Sequence, residues 1–221
     1  MGVCFVVRFL ETAVGTTQGQ PGRGVNPRPY TMTGVSIAHA DLIFVLAGRP
    51  ARKRFALELF QAGVARLILF SVARFEVRQF KELPLPTAFD LLPIAQSIPA
   101  PERHFFVLFG DGTPQVERIA VRRFGTLREI EALSKYLQRD NEIRSVIVVT
   151  SAVHARRVAL CCRVLLPPNV EFQIAIVPQA VSGKDAFVTT EPKASLLEFA
   201  NELVKWSVYR VMLSFRRSVR A

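Results

Sequence analysis

The alternation of apolar runs with amphipathic stretches predicts an α/β protein, a three-layer α/β/α sandwich with a mostly parallel, Rossmann-like sheet. Three observations carry that expectation. Residues 41–46 (DLIFVL), 66–71 (RLILFS) and 146–149 (VIVV) are near-continuous apolar runs, as strands covered on both faces require. A helical pattern separates the first two runs at about the length of a right-handed crossover. The third run passes through Thr150 and Ser151 directly into another helical pattern.

Composition sets the frame. At 221 residues with 50% hydrophobic and only 21% charged residues, the chain suits one packed domain rather than disorder or two comfortable domains. Residues 1–37 read as a flexible lead-in, rich in Gly, Thr, Pro and Gln and without a period. Met32 is a candidate for the true translation start. Residues 38–221 then form a single α/β domain ending in an amphipathic helix.

Within that domain, Ala47-Gly48-Arg49-Pro50 turns the first strand into a helix with Phe55, Leu59 and Phe60 at helical spacing and Gly63 near its C-terminus. The second strand, 66–71, follows. A short helix is expected over 77–83, and the proline-rich span 84–101 reads as connecting structure. Residues 104–109 and 116–121 are two strands about a tight turn at Gly110-Asp111-Gly112. Thr126 is expected to cap a helix running to Arg139, with Leu127, Ile130, Leu133 and Leu137 on one face. The 146–149 strand and its helix come next, then a strand over 170–177. Thr190-Glu191-Pro192 opens a final helix to about Phe215.

The formal net charge of +11 favours acidic partners: phosphates, nucleic acid or an anionic membrane surface. A solvated arginine-rich exterior is the bland alternative. Nucleic acid is the weakest of these, because the charge is dispersed and no recognition motif occurs. No run approaches the roughly 20 apolar residues of a membrane span, and Arg8 and Glu11 interrupt the apolar start, so neither signal peptide nor anchor is expected. A cytoplasmic location, with peripheral contact at the inner membrane, is the resulting expectation. The vicinal Cys161-Cys162 pair reads as reduced core. His39 and His104 have no partners at ligand spacing, so no metal is expected. The absence of a GxGxxG or P-loop pattern argues against ordinary dinucleotide or nucleoside triphosphate binding.

The segment 144–167 carries the chemistry. A buried strand feeding a helix with Ser151 at its N-cap and His154 and Arg157 on one face is suited to an anion. His154 is the candidate general acid or base. Arg157, with Arg49 or Arg54 as its candidate helper, would clamp an anion by bidentate hydrogen bonds. Ligand contacts are expected from Gly48, Arg49, Arg54, Ser71, Thr126, Thr150, Ser151 and Arg157, gathered at the strand carboxyl ends. Arg156 is expected to face solvent, Glu129 and Glu131 to be ordinary helix-surface charges, and Asp41 either to cap or to position its strand.

These landmarks, in order, resemble the YdcF, SanA and ElyC family of bacterial envelope-linked proteins, a domain of unknown function. The resemblance rests on Thr150, Ser151, His154 and Arg157, on Asp41 through Gly48, on Arg54, Ala56, Leu59 and Gly63, and on Thr126. The end of the chain, 201–210, resembles the terminal helix of members found near exopolysaccharide genes. The chain departs from the family pattern at Arg49, at Val72-Ala73 and at Arg123 to Gly125, where glycines or small polar residues are usual, and Glu129 falls one place late. The resemblance implies an envelope or peptidoglycan-linked setting and, from one relative, S-adenosylmethionine as a candidate ligand. It brings no single reaction. Two functions are therefore expected: an enzyme or binding protein for an anionic small molecule of nucleotide, S-adenosylmethionine or sugar-phosphate type, or a non-catalytic module of an envelope assembly with a degenerate site.

Overall fold

Four strands with apolar residues on both faces form the centre of a mixed sheet in this computed structural model, which describes residues 6–7, 30–32, 35–110, 112–121, 125–178 and 196–220. In chain order the strands are β1 (Val6–Val7), β2 (Tyr30–Met32), β3 (Val35–Ile37), β4 (Ala40–Val45), β5 (Ala65–Ala73), β6 (His104–Phe109), β7 (Gln115–Arg118), β8 (Ser145–Thr150) and β9 (Glu171–Ile176). The sheet order is β1-β9-β8-β4-β5-β6-β7, while β2 and β3 pair separately. Pairing is parallel from β9 through β8 and β4 to β5, and antiparallel for β5/β6, β6/β7 and β1/β9. The sheet is thus mostly parallel at its centre and reversed at its edges. Of the expected lead-in, the described pieces are these short paired strands; the rest, including the Gly/Pro-rich stretch 13–29, lies outside the described residues.

The helices are α1 (Pro50–Gln61), α2 (Val77–Phe80), α3 (Leu92–Gln96), α4 (Gly125–Arg139), α5 (Ala152–Leu165) and α6 (Leu196–Arg220). Alternation along each strand divides the core in two. Ile43, Val45, Phe70, Val107 and Val149 pack with Phe55 and Leu59 of α1, and with Val77, Phe80, Leu91 and Ala95 of the 74–103 connection. Phe44, Leu69, Phe106 and Val148 pack on the other face with α4, α5 and the α6 residues Tyr209 and Leu213. Helices therefore cover both faces. Placing α1 on one face and α5 on the other is what two right-handed crossovers leaving the centre in opposite directions require.

Pro50 opens α1, where its missing N–H costs no hydrogen bond. At the other end Gly63 takes φ 73°, its N–H donates to the Phe60 carbonyl, and the Val64 N–H donates to Leu59. This is a Schellman closure, the role its spacing predicted. The far ends of the central strands are tied by Asp41. Its carboxylate accepts the backbone N–H of Arg144 (2.8 Å) and Ser145 (2.9 Å) and the Ser145 hydroxyl (2.8 Å). Although burial alone would raise its pKa, these bonds hold the carboxyl below its ordinary value. Asp41 positions its strand against β8.

Several boundaries differ from expectation, among them the short helix expected over 77–83, which ends at Phe80. α4 begins at Gly125, so Thr126 lies inside its first turn and does not cap it. The final helix is described from Leu196 and continues to Arg220; Thr190 to Pro192 lie outside the described residues. The 104–118 hairpin forms, with Leu108 opposite Gln115, and β7 stops at Arg118. Among the described residues no helix is long and apolar enough to cross a membrane.

Candidate functional site

The sheet order reverses at β4, whose neighbours β5 and β8 are reached on opposite sides, and such switch points open a crevice at the carboxyl ends of the strands. A pocket of about 670 Å³ lies there, lined from the α1 start by Gly48, Arg49 and Arg52, from the α4 start by Gly125, Thr126 and Glu129, and from α5 by His154 and Arg157. His104 from the start of β6 and Lys205 and Tyr209 from α6 close it. Three helix N-termini converge on one cavity. Each directs a partial positive charge to that end of the sheet, although the Arg52 and His154 N–H groups in the first turns of α1 and α5 donate back to the Arg49 and Ser151 carbonyls.

The polar side chains form three connected groups. In the first, Arg52 donates to the Ala47 carbonyl (2.9 Å) and to the Ser151 hydroxyl (2.8 Å), joining the β4 loop to the start of α5. Ser151 is the α5 N-cap by position, but its hydroxyl makes no cap bond and accepts from Arg52 instead. Beside it, Lys53 is buried and paired with Glu76, whose carboxylate also accepts the N–H of Gly48 (3.0 Å) and Ala73 (2.9 Å). Burial pushes the Lys53 ammonium below its usual pKa, against the opposing pull of Glu76. Gly48 adopts φ 134°, and a Cβ there would lie 2.8 Å from Arg52 Nη1. A side chain would therefore collide with the cation that shapes the pocket wall.

The second group joins β5, β6 and α4. Glu129 accepts from the Ser71 hydroxyl (2.5 Å) and from the Ala47 N–H (2.9 Å), and Ser71 Oγ lies 2.7 Å from His104 Nε2. A serine, a histidine and a carboxylate in contact suggest a nucleophilic triad, but the connectivity differs. The same nitrogen, Nε2, is 2.7 Å from Ser71 and 3.4 Å from Glu129, so the imidazole does not bridge the two through opposite nitrogens. Ser71 is wholly buried and its hydroxyl proton is committed to Glu129. It positions Glu129 and His104 rather than attacking a substrate.

The third group centres on Arg157, which is buried. Its Nε donates to Glu202 Oε2 (2.8 Å), its Nη1 donates to Thr126 Oγ1 (2.6 Å), and its guanidinium lies 5.3 Å from the centre of the Tyr209 ring. His154 Nδ1 lies 3.2 Å from Glu202 Oε2 and 3.3 Å from Arg157 Nη2, and Lys205 pairs with Glu202 at 3.0 Å. Burial and the neighbouring Arg52 charge lower the His154 pKa to about 4, against the attraction of Glu202, so the ring is neutral near pH 7. Glu202 is held below its ordinary value: burial opposes this, but Lys205, Arg157 and His154 outweigh it.

The structure brings Gly48, Arg49, Thr126, His154 and Arg157 to the pocket wall, with Ser71 and Ser151 directly behind it. Thr150 and Arg54 are not among the lining residues. Thr150 is wholly buried on the α4–α5 side, where strand alternation directs it. Arg54 is exposed, because the buried stripe of α1 runs through Arg52, Phe55, Ala56 and Leu59. Glu129, expected on the surface, is only 4% exposed, a correction that follows from its position four residues before Leu133 on the buried face. The residues that sequence reasoning missed are Arg52, Lys53, Glu76 and Glu202, while His104, which lacked ligand spacing, enters as a hydrogen-bonding group. Periodicity carried a signal for two of them. Arg52 is three residues before Phe55, and Glu202 seven before Tyr209, each on its helix's buried stripe. Arg156 is exposed as expected, and Cys161 and Cys162 are buried free thiols.

Comparison of the chain with known protein families, curated proteins and solved structures returns no significant match.

Proposed function

We propose that this chain binds an anionic small molecule in the pocket at the strand carboxyl ends. The observation that carries the reading is the convergence of the α1, α4 and α5 N-termini on a cavity lined by Arg49, Arg52, Arg157 and Lys205, with Glu129 the one lining carboxylate among the described residues. Fixed N–H dipoles and guanidinium forks favour a phosphate or carboxylate there. The volume suits a ligand of nucleotide, S-adenosylmethionine or sugar-phosphate size. A role in cell-envelope or exopolysaccharide metabolism is the part of the proposal that rests only on the sequence motifs resembling YdcF-like proteins, Thr150, Ser151, His154 and Arg157 foremost. In this reading Arg49 and Lys205 meet the ligand, Arg52 and Arg157 set the field, and neutral His154 is the candidate proton acceptor.

A thermal-shift panel of nucleoside diphosphates, nucleotide sugars and S-adenosylmethionine tests it. At least one is expected to raise Tm in the wild type, with the rise reduced in Arg49→Ser; no shift across the panel, or an undiminished shift in the variant, rejects the reading. One observation favours a second reading, a non-catalytic module with a degenerate site. Arg157 and His154 already share the carboxylate of Glu202, so the chain supplies an anion of its own at that corner.

A further inference from the structure

The described side chains of α6, residues 201–214, divide by face. Glu202, Tyr209 and Leu213 are buried against the body, whereas Val204, Val208 and Val211 are 65%, 41% and 57% exposed. These three valines stand four and then three residues apart, one continuous stripe along the side of the helix opposite the core. At 100° per residue, Lys205 lies about a quarter turn to one side of the stripe and Arg210 further round on the other, toward the buried side. Arg210 is exposed and lies 5.3 Å from the centre of the Trp206 ring, while Lys205 reaches back to Glu202. Glu202 is the only acid in 201–214, and its carboxylate is turned inward. The adjacent helix α5 contains no Asp or Glu at all and exposes Arg156 and Arg163.

We propose that the outer face of α6 is a docking surface for an anionic lipid bilayer, with the helix lying along the interface. Three arguments select this occupant. The face is apolar along its centre and has no outward acid among residues 201–214, and the exposed cations nearby are Arg210 and, on α5, Arg156 and Arg163, which complements anionic headgroups around an acyl boundary. A second copy would bring two basic faces of a chain with net charge +11 into contact, a repulsive pairing. The stripe is also too narrow for a protein dimer: three valines offer a few hundred Å² at most, well short of the roughly 800 Å² per partner of a stable interface. The valine stripe itself is separate from the ligand pocket, which α6 meets through Lys205 and Tyr209, so the proposal stands whether or not that pocket is occupied.

Co-sedimentation of the full chain with vesicles tests the proposal, comparing phosphatidylcholine alone with phosphatidylcholine containing about one third phosphatidylglycerol. Binding to the anionic vesicles only is expected. Replacing all three residues (Val204→Ser, Val208→Ser, Val211→Ser) should weaken that binding by about tenfold or more while Tm stays near wild type, because the sites are exposed. Val208→Asp alone should act in the same direction, which keeps the test decisive if the triple variant folds poorly. Unchanged binding by these variants would mean that dispersed charge, not the stripe, holds the membrane, and overturns the proposal. So would equal binding to neutral vesicles, no binding to either, or a wild-type dimer that the valine variants convert to monomer.

Discussion

His154 combines two constraints that make it the most informative single residue to titrate. Its pKa in the folded chain is about 4, below the ordinary histidine value of 6.5, so between those values the unfolded chain holds the proton more tightly. Its contribution to stability is therefore complete above about pH 6.5 and is lost as pH falls toward 4. Urea unfolding followed from pH 7 to pH 4 should show falling stability in the wild type and a flatter profile in His154→Gln. The buried Lys53–Glu76 pair invites a different test. Removing either partner strands the other, at a cost of about 3–5 kcal/mol. In the double variant Lys53→Met with Glu76→Gln, the loss should be clearly smaller than the sum of the single losses, a coupling that a double-mutant cycle reads directly. Glu129→Ala leaves the Ala47 N–H and the Ser71 hydroxyl without their acceptor, and should cost about 2–4 kcal/mol.

At the scale of elements, the helix ends and the buried charges show what the sequence made legible. Gly63 was readable because only one local conformation closes α1 there. Its φ of 73° with open space around a would-be Cβ makes Gly63→Ala a backbone experiment, expected to lower stability by about 1 kcal/mol in thermal or urea unfolding. The strands β4, β5 and β8 were equally plain, since runs such as 146–149 are apolar at every position and leave little choice of environment. Arg52, Glu76 and Glu202 were not. Arg52 and Glu202 sit on faces where hydrophobic patterning expects an apolar residue and Glu76 lies in the turn before α2, while their respective partners Ser151, Arg157 and Lys53 lie 99, 45 and 23 positions away. Only the folded sheet brings those pairs together, so charge read along the chain suggests solvent. Arg54 illustrates the opposite error, because a basic residue near a loop attracts a functional reading while the helix turns it outward.

For the whole molecule, the buried thiols report how far the two-sided core opens. Cys161 and Cys162 lie in the layer that includes α4, α5 and α6, and burial raises both, Cys161 to about 12. Neither should react with a thiol reagent in the native state. In a Cys4→Ser background, labelling should track urea unfolding; fast labelling without denaturant would show that α6 separates from α5 well before the sheet unfolds.

The reversed direction of β6 has a consequence for how this architecture can change. A parallel strand beside β5 would need a crossover that returns to the opposite end of the sheet. Here residues 74–103 leave from the end of β5 and re-enter β6 at that same end, with α2 and α3 covering the face that a crossover helix would otherwise fill. The excursion has no fixed distance to travel, and loop closure depends only weakly on length. Its exposed parts are the place where the chain can gain or lose residues without shifting a single strand. Because His104 sits where the excursion ends, such changes would remodel the mouth of the pocket while leaving the strand ends beneath it in register.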